Sequence, residues 1–287
     1  MRAGFFQFEP VFGDREQNID RVVRALANTD ADLIVLPELF ASGYQFASHE
    51  EVAQLSEQVP HGPTTDALTG LSRRKGMYVV AGVAEKDGER YYNSAFMTGP
   101  DGYIGVYRKT HLFFEEKLWF SPGDTGFRAF STDIGRIGIM ICFDWIFPES
   151  MRTLALMGAE VVAHPANLVL PHCPSAMPIR CLENRTYAIT ANRVGREKRK
   201  KGAGLRFIGT SQIVGPDGAI CARAPETGEA LMIADIDPEQ ARDKSLNPFN
   251  DLFEDRRPAM YLTAKPNPPD NNAPSEAEQT SSGKRTS

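Results

Sequence analysis

The chain has 287 residues, 41% of them hydrophobic and 24% charged, a composition that suits one large globular domain with a sizeable core. Its formal net charge of −5 argues against nucleic acid as a general partner. No apolar run approaches the length of a membrane span, Phe5–Phe8 is too short for a signal peptide, and the four cysteines lack motif spacing. We therefore expect a cytoplasmic protein with reduced thiols and no membrane partner.

Apolar periodicity predicts strands and helices that alternate along most of the chain, and such a mixture implies helix layers that cover sheets. Strands are predicted at Phe5–Phe8, Leu33–Leu36, Tyr78–Ala84, Tyr92–Thr98, Tyr103–Tyr107, Ile137–Ile141, 160–163, 187–192, Ile208–Val214, Ala219–Ala222 and Leu231–Ile236. Helices are predicted at Asp14–Asn28, Thr64–Lys75, 149–157 and 175–186.

Two segments depart from this pattern. The C-terminal residues 264–287 are rich in Pro, Asn, Ser and Glu and cannot bury enough apolar surface to order themselves. We therefore predict one domain over residues 1–262 and a disordered or partner-docked tail over residues 263–287. The basic run at residues 196–201 lies between glycines and is predicted to be a solvated loop, with binding of an anion or another subunit as the alternative.

Cys142 follows a short apolar run that is bounded by glycine, and it precedes the predicted helix that opens at Pro148-Glu149-Ser150. A cysteine at such a turn lies at the carboxyl edge of a sheet, where ligands of open α/β sheets gather. Helix-start N–H groups nearby can lower a thiol pKa and bind an oxyanion. Free cysteine is nevertheless most often a small buried hydrophobe, so Cys142 alone does not establish a nucleophile.

Glu38 and Lys109 also come directly after predicted strands. Glu38 follows Pro37 in an apolar context, where burial would raise its pKa toward that of a usable general base. A structural ion pair or a turn cap explains the carboxylate equally well. Lys109 precedes an aromatic run and could supply a fixed positive charge, although most lysines are simply exposed.

Taken together, these segments resemble the nitrilase superfamily of carbon–nitrogen hydrolases, which is recognised by a Glu–Lys–Cys triad in this chain order. The resemblance covers about residues 1 to 262. It rests on Leu36-Pro37-Glu38, Tyr107-Arg108-Lys109-Thr110-His111-Leu112, the segment from Cys142 to Ser150, Ala163-His164-Pro165-Ala166-Asn167, Arg180-Cys181-Leu182-Glu183-Asn184-Arg185, Ala191-Asn192-Arg193-Val194-Gly195 and residues 209–218.

The resemblance implies an α/β fold, namely a four-layer α-β-β-α sandwich of two stacked mixed sheets, and a homodimer or higher homo-oligomer. It implies Cys142 as nucleophile, Glu38 as general base and Lys109 as oxyanion donor, with the backbone N–H of Phe143 as a second donor. Glu116 matches a further glutamate that positions Lys109 and the substrate, with a solvated loop charge as the alternative. The reaction needs no cofactor.

Residues near the matched motifs are predicted to line the substrate pocket, and aromatic side chains there would favour a small substrate. They are Tyr44, Phe113, Phe114, Trp145, Asn167 and Met177. Most of them could equally be core residues. No metal is expected, because the spacing of His172, Cys173 and Cys181 matches no zinc pattern.

The tripeptide at Cys142 favours amide over nitrile hydrolysis. Here it is Cys-Phe-Asp, whereas established nitrilases of the superfamily usually show Cys-Trp-Glu. We therefore predict hydrolysis of a small amide, with a small nitrile as the alternative substrate. An N-carbamoyl substrate would need a carboxylate-binding arginine, for which Arg180 and Arg185 are the possibilities. A non-catalytic binding module and a Cys–His hydrolase with His164 or His172 as base are the alternatives from other classes.

Overall fold

Two six-stranded mixed sheets form the framework of the computed structural model, which describes residues 1–202 and 204–261. The first sheet has the order β14-β1-β2-β3-β4-β5, where β1 is Arg2–Gln7, β2 is Leu33–Val35, β3 is Tyr78–Asp87, β4 is Arg90–Gly99, β5 is Gly102–Arg108 and β14 is Ala230–Asp235. The second has the order β13-β12-β9-β8-β7-β6, where β6 is Arg128–Thr132, β7 is Gly135–Ile139, β8 is Val161–Pro165, β9 is Tyr187–Ala191, β12 is Gln212–Val214 and β13 is Ile220–Arg223.

Helices and two small hairpins complete the fold. The helices are α1 Arg15–Ala27, α2 His49–Leu55, α3 Pro63–Lys75, α4 Glu116–Trp119, α5 Pro148–Leu156 and α6 Cys173–Asn184. The hairpins pair β10 Arg196–Glu197 with β11 Leu205–Arg206, and β15 Ser245–Asn247 with β16 Asn250–Asp251. Among the described residues, none of the helices is both long and apolar enough to cross a membrane.

Successive side chains of a strand point to opposite faces of its sheet, so each sheet packs against a different layer on each face. In β1, Phe5 belongs to the core cluster shared by the two sheets, whereas the next residue, Phe6, faces the cluster formed with α1 and α3. Leu154 of α5 and Met177 of α6 pack onto the second sheet from its outer side. The predicted α-β-β-α sandwich of two stacked mixed sheets is therefore confirmed.

Parallel pairing brings the strand ends of interest to common edges. β1, β2 and β3 are parallel in the first sheet, and β7, β8 and β9 are parallel in the second. Glu38 follows β2, Lys109 follows β5, and Cys142 and Asn167 follow β7 and β8. Ligands collect at such carboxyl edges, so the fold positions these side chains for a shared site.

Several elements differ from the sequence-based predictions. The strand before Cys142 ends at Ile139, and Cys142 itself opens a 3-10 turn, Cys142–Ile146. The strand predicted from Ile208 begins only at Gln212, because Gly209 and Thr210 have positive φ angles of 57° and 58° that interrupt an extended backbone. The helix α2 was not predicted, although Ser48 and Glu51 form a capping pair at its start: the Glu51 N–H donates to Ser48 Oγ, and Ala47 N–H donates to Glu51 Oε2.

The chain divides into a large unit, Met1–Phe253, which holds both sheets, and a second unit that begins at Glu254. The described part of the second unit contains a 3-10 turn at Pro258–Met260. The predicted tail over residues 263–287, with its boundary at residue 262, lies outside the described residues.

Candidate active site

Cys142 lies on a strained turn at the end of β7. Its φ angle of 42° falls in the left-handed region that non-glycine residues rarely adopt. The turn is closed on both sides, because the Ile141 N–H donates to Asp144 Oδ2 at 2.9 Å and the Asp144 N–H donates to the Ile141 carbonyl at 3.0 Å. The side chain is almost completely buried, yet it forms part of a cavity wall. The backbone thus presents the sulfur in a fixed direction.

Asp144 anchors this turn to the segment that carries Lys109. Its Oδ2 also accepts a hydrogen bond from the Tyr107 hydroxyl at 2.8 Å, and its Oδ1 accepts from the His111 N–H at 3.1 Å and contacts His111 Nδ1 at 2.7 Å. Tyr107 is the last residue but one of β5, and His111 lies two residues beyond Lys109. The buried Asp144 carboxylate therefore fixes the Cys142 turn relative to the segment from Tyr107 to His111.

Lys109 lies between two carboxylates in the interior. Its Nζ is 2.6 Å from Glu38 Oε1, and it is 2.8 and 2.7 Å from the two oxygens of Glu116. The side chains of Lys109 and Glu38 have no exposed surface and that of Glu116 is 4% exposed, so the alternative of a solvated Glu116 does not apply. Glu116 is further fixed by the Tyr44 hydroxyl at 2.7 Å and by the Phe113 N–H at 3.1 Å.

Two asparagines surround Glu38. Asn93 Nδ2 donates to Glu38 Oε1 at 2.7 Å, and Asn167 Nδ2 donates to the Glu38 backbone carbonyl at 2.9 Å. Gly82 allows this arrangement, since a Cβ there would lie 2.5 Å from the Cα of Glu38. Glu38 Oε2 and Asn167 Oδ1 have no hydrogen-bond partner among the described residues, although both are buried. Buried acceptors of this kind are costly unless a ligand or water uses them.

The electrostatics of the cluster favour a protonated thiol beside a base that titrates near neutrality. Burial raises the pKa of Glu38 to about 7, against the opposing charge of Lys109. Burial also raises the pKa of the Cys142 thiol well above its usual value, as does the charge of Glu38, while Lys109 and the Asn167 backbone N–H oppose this shift. For Lys109 burial lowers the pKa, but Glu116 and Glu38 outweigh it, so the ammonium stays charged.

A cavity of about 50 Å³ opens beside Cys142. Its walls are mostly apolar, and they include three of the six residues predicted to line the substrate pocket, namely Phe113, Trp145 and Asn167. The lining consists of Phe113, Cys142, Phe143, Trp145, Ile146, Asn167, Leu168, Val169, Leu170 and His172. A cavity of this volume has room for water or for a small substrate group.

Tyr44 and Phe114 line a neighbouring, smaller cavity of about 20 Å³, which also includes Glu116. Phe114 is 69% exposed, so it lies at the surface of this region. Met177 lies elsewhere: it is fully buried among the core residues of the second sheet and lines neither cavity. It faces the sheet from α6, and we correct its assignment from pocket to core.

The amino-acid sequence matches the model of the carbon–nitrogen hydrolase family over residues 2–244. The chain belongs to this family. A nitrilase of Pyrococcus abyssi is 48% identical over 265 residues, which cover 91% of this chain and 99% of that protein. An (R)-stereoselective amidase of a Pseudomonas species is 36% identical and covers 85% of this chain and 87% of its own length. The crystal structure of a carbon–nitrogen hydrolase from Helicobacter pylori superposes with a TM-score of 0.82 at 29% identity, over 91% of this chain and 96% of that one.

The sequence left a Cys–His pair open as an alternative for this carbon–nitrogen hydrolase, with His164 or His172 as the base. His164 is bonded at both ring nitrogens, to the Cys142 carbonyl and to Thr190 Oγ1, each at 3.0 Å. Burial lowers its pKa to about 4, so it is neutral and structural. His172 is exposed on the cavity lining. Neither ring is hydrogen-bonded to the Cys142 sulfur, so the described residues form no Cys–His pair at this position.

The two arginines considered for carboxylate binding serve other contacts. Arg180 donates to the backbone carbonyls of Trp145 and Ile146, at 3.2 and 3.3 Å, and pairs with Glu183. Arg185 donates to the Asp243 carbonyl at 2.6 Å. Arg180 thus supports the outer side of the cavity wall, and neither arginine belongs to the cavity lining. Among the described residues, no cluster of three His, Cys, Asp or Glu side chains could hold a metal ion.

Sequence reasoning missed Asn93, Asp144 and the structural role of His164. Asp144 belongs to the Cys-Phe-Asp tripeptide, and its position two residues past the cysteine was a usable signal. Asn93 occupies a fully paired position of β4, where the sequence shows only a polar residue among apolar ones. Its contact with Glu38 spans 55 positions of sequence and has no local signature.

Proposed function

We propose that the protein hydrolyses the carbon–nitrogen bond of a small, uncharged amide through a thioester on Cys142, releasing ammonia and a carboxylic acid. The observation that carries this proposal is Asn167 Oδ1, a buried acceptor without a partner among the described residues, on the wall of the cavity that contains Cys142. An amide NH₂ group can donate to this oxygen. A nitrile nitrogen has no hydrogen to donate, so it would leave the acceptor unpaired.

In the first half of the reaction, the Cys142 sulfur attacks the amide carbon while its proton passes to Glu38. The free Oε2 of Glu38 is the acceptor that we assign to this proton. The oxyanion is stabilised by the backbone N–H of Phe143 and by the positive charge of Lys109. The three N–H donors of Lys109 contact one oxygen of Glu38 and both oxygens of Glu116, so the donor on the second Glu116 oxygen is the one that turns to the oxyanion. The tetrahedral intermediate then breaks its carbon–nitrogen bond, and Glu38 returns the proton to the departing ammonia.

In the second half, a water molecule attacks the thioester carbon. Glu38 accepts a proton from the water and passes it to the Cys142 sulfur as the carbon–sulfur bond breaks. The carboxylic acid leaves and the thiol is restored. Throughout the cycle, Glu116 holds Lys109 in place and keeps it protonated. These steps need only side chains of this chain, and we expect no cofactor.

The cavity supports a small substrate with an apolar acyl group. Phe113, Trp145 and Leu168 contribute apolar walls to a cavity of about 50 Å³, which favours a short apolar acyl group. An N-carbamoyl amino acid would bring a carboxylate into this environment without an arginine on the described lining. Nitrile hydrolysis is the second candidate, which the 48% identity to a protein named nitrilase favours.

A substrate panel tests the proposal. Ammonia release should be faster with short aliphatic amides such as propionamide than with the matching nitriles or with N-carbamoyl amino acids. We expect a preference in kcat/KM of about 10²-fold or more over the charged compounds, the scale of one unpaired buried polar group. Faster conversion of propionitrile than of propionamide would reverse the ranking, and ammonia from none of the compounds would contradict the assignment of this substrate class.

The pKa of Glu38 sets an expected pH dependence. Because its pKa is raised to about 7 and the base must be ionised to accept the thiol proton, kcat/KM should fall about tenfold for each pH unit below 7. The measurement is kcat/KM between pH 5 and pH 8 with a neutral amide, whose own charge does not change. The Glu38→Gln variant, which lacks the base, should show low activity without this acidic limb. A profile for the unaltered protein that stays flat down to pH 5 would rule out Glu38 as the titrating base.

We also propose that the enzyme works in the cytoplasm as a homodimer or higher homo-oligomer. Exposed apolar side chains on the outer faces of α5 and α6 support self-association, since Leu156, Ile179 and Leu182 are each 44–55% exposed. Light scattering after size exclusion would report the number of chains directly.

A further inference from the structure

The basic run at residues 196–201 contains one acidic residue, and that residue is buried. Glu197 is 5% exposed and pairs with Arg193, which is 1% exposed. Two backbone N–H groups also donate to its carboxylate: Tyr44 N lies 3.1 and 3.2 Å from the two oxygens, and Gln45 N lies 2.6 Å from Oε2. The predicted solvated loop is therefore anchored at its second residue, in β10, against the segment that carries Tyr44.

We propose that Glu197, held by Arg193, is a positioning residue that acts through Tyr44 on the pair formed by Glu116 and Lys109. The Tyr44 hydroxyl is 2.7 Å from Glu116 Oε1, and Glu116 in turn contacts Lys109 Nζ. Tyr44 thus contacts both carboxylates. Its backbone N–H donates to Glu197, and its hydroxyl donates to Glu116.

The surroundings fix Tyr44 from two further directions. Its ring meets the Phe207 ring edge-on at 5.9 Å, and the Arg193 guanidinium covers the Phe207 ring at 4.0 Å. Gly43 permits the close approach: its φ angle is 84°, and a Cβ there would lie 2.6 Å from the Phe12 ring and 3.1 Å from Glu197 Oε1. The backbone before Tyr44 therefore has little freedom to shift while the carboxylate stays in place.

A purely structural role explains this pair poorly. A buried ion pair seldom adds more stability than apolar side chains of the same volume, because removing two charges from water is costly. Here Arg193 holds the Glu197 carboxylate, and this carboxylate orients the backbone N–H groups of Tyr44 and Gln45 next to the cluster of Glu116 and Lys109. A small displacement of a group that acts on the transition state can reduce the rate by up to about 10²-fold.

The test is a double-mutant cycle on the full-length protein, and it rests on the proposed amidase function. Glu197→Asp keeps the charge and the pair with Arg193 but shortens the side chain, so that it cannot reach both N–H groups. We expect Glu197→Asp and Tyr44→Phe each to lower kcat about tenfold while KM changes by less than about twofold. In the double variant the second change should add almost nothing, because both act through the same contact.

The control is Glu229→Gln. Glu229 forms an exposed ion pair with Arg21 of α1, and the contacts described for this pair do not include Tyr44, Gln45 or Glu197, so its loss should leave kcat unchanged. Glu197→Gln provides a second variant, which loses the charge but keeps an amide oxygen for the N–H groups and should retain more activity than Glu197→Asp. Circular dichroism at the assay temperature verifies that each variant is folded.

Two results would overturn the inference. In the first, the fold-loss in kcat of the double variant equals the product of the two single losses. In the second, Glu197→Asp lowers the melting temperature but leaves kcat unchanged. If the unaltered protein released no ammonia from any amide, the proposed function itself would fail instead, so the two failures are distinguishable.

Discussion

Replacing Cys142 with alanine is expected to lower ammonia release from the preferred amide on the order of 10⁶-fold, the scale seen when a catalytic triad loses its nucleophile. The thioester cannot form without the sulfur, and the remaining groups have no other nucleophile to activate. Because alanine fits the buried turn, the protein should stay folded. The measurement is ammonia release together with the near-ultraviolet circular dichroism spectrum.

Two further variants make this prediction specific. Cys142→Ser should be inactive as well, since a hydroxyl is far less acidic than a thiol and Glu38 cannot activate it to the same extent. Cys221→Ala is the matched control, because Cys221 is an exposed free thiol on β13, remote in sequence from the site, and its loss should leave the rate unchanged. Full turnover by Cys142→Ala would end the nucleophile assignment.

Replacing Lys109 with methionine is expected to reduce kcat by about 10²–10³-fold, the usual effect of removing one oxyanion donor, with a smaller change in KM. The same change should destabilise the fold by about 3–5 kcal/mol, because it leaves Glu38 and Glu116 buried without their cation. The measurements are steady-state kinetics and urea unfolding. The stability loss should shrink as the pH falls, since the pKa of Glu38 is raised and its protonation removes one of the two unpaired charges.

The double variant Lys109→Met/Glu116→Gln separates catalysis from stability. It removes the cation and one of the two carboxylates, and Glu38, whose pKa is already about 7, can then become neutral at modest cost. We expect most of the lost stability to return while kcat remains low. Recovery of kcat along with stability would show that Lys109 only maintains the fold.

The candidate site could be predicted in part because its residues carry local signals. Glu38 and Lys109 each follow an apolar run, and such runs mark buried strands whose carboxyl ends meet at one sheet edge. The Glu–Lys–Cys order that the family shares then grouped both residues with Cys142. Met177 shows the limit of this reasoning, because a residue near a motif on a helix can point into the core as readily as into a pocket.

The residues that support the site had no such signals. Glu197 lies in a run of basic residues that is typical of a solvated loop, yet its carboxylate is buried beside a segment 152 positions earlier in the chain. Asn93 and Asp144 likewise contact their partners across long separations. Contacts of this kind depend on how the sheets stack and on which loops meet at their edges.

The amino-acid sequence alone determined the alternation of strands and helices, the family and the three residues at strand ends, because periodicity and motif order are local properties of a chain. Only the tertiary structure decided which acceptors remain unpaired, how Glu116 and Lys109 are buried together and what holds Tyr44 in place. These properties arise from desolvation and from hydrogen bonds between distant segments, and they exist only once the two sheets have packed.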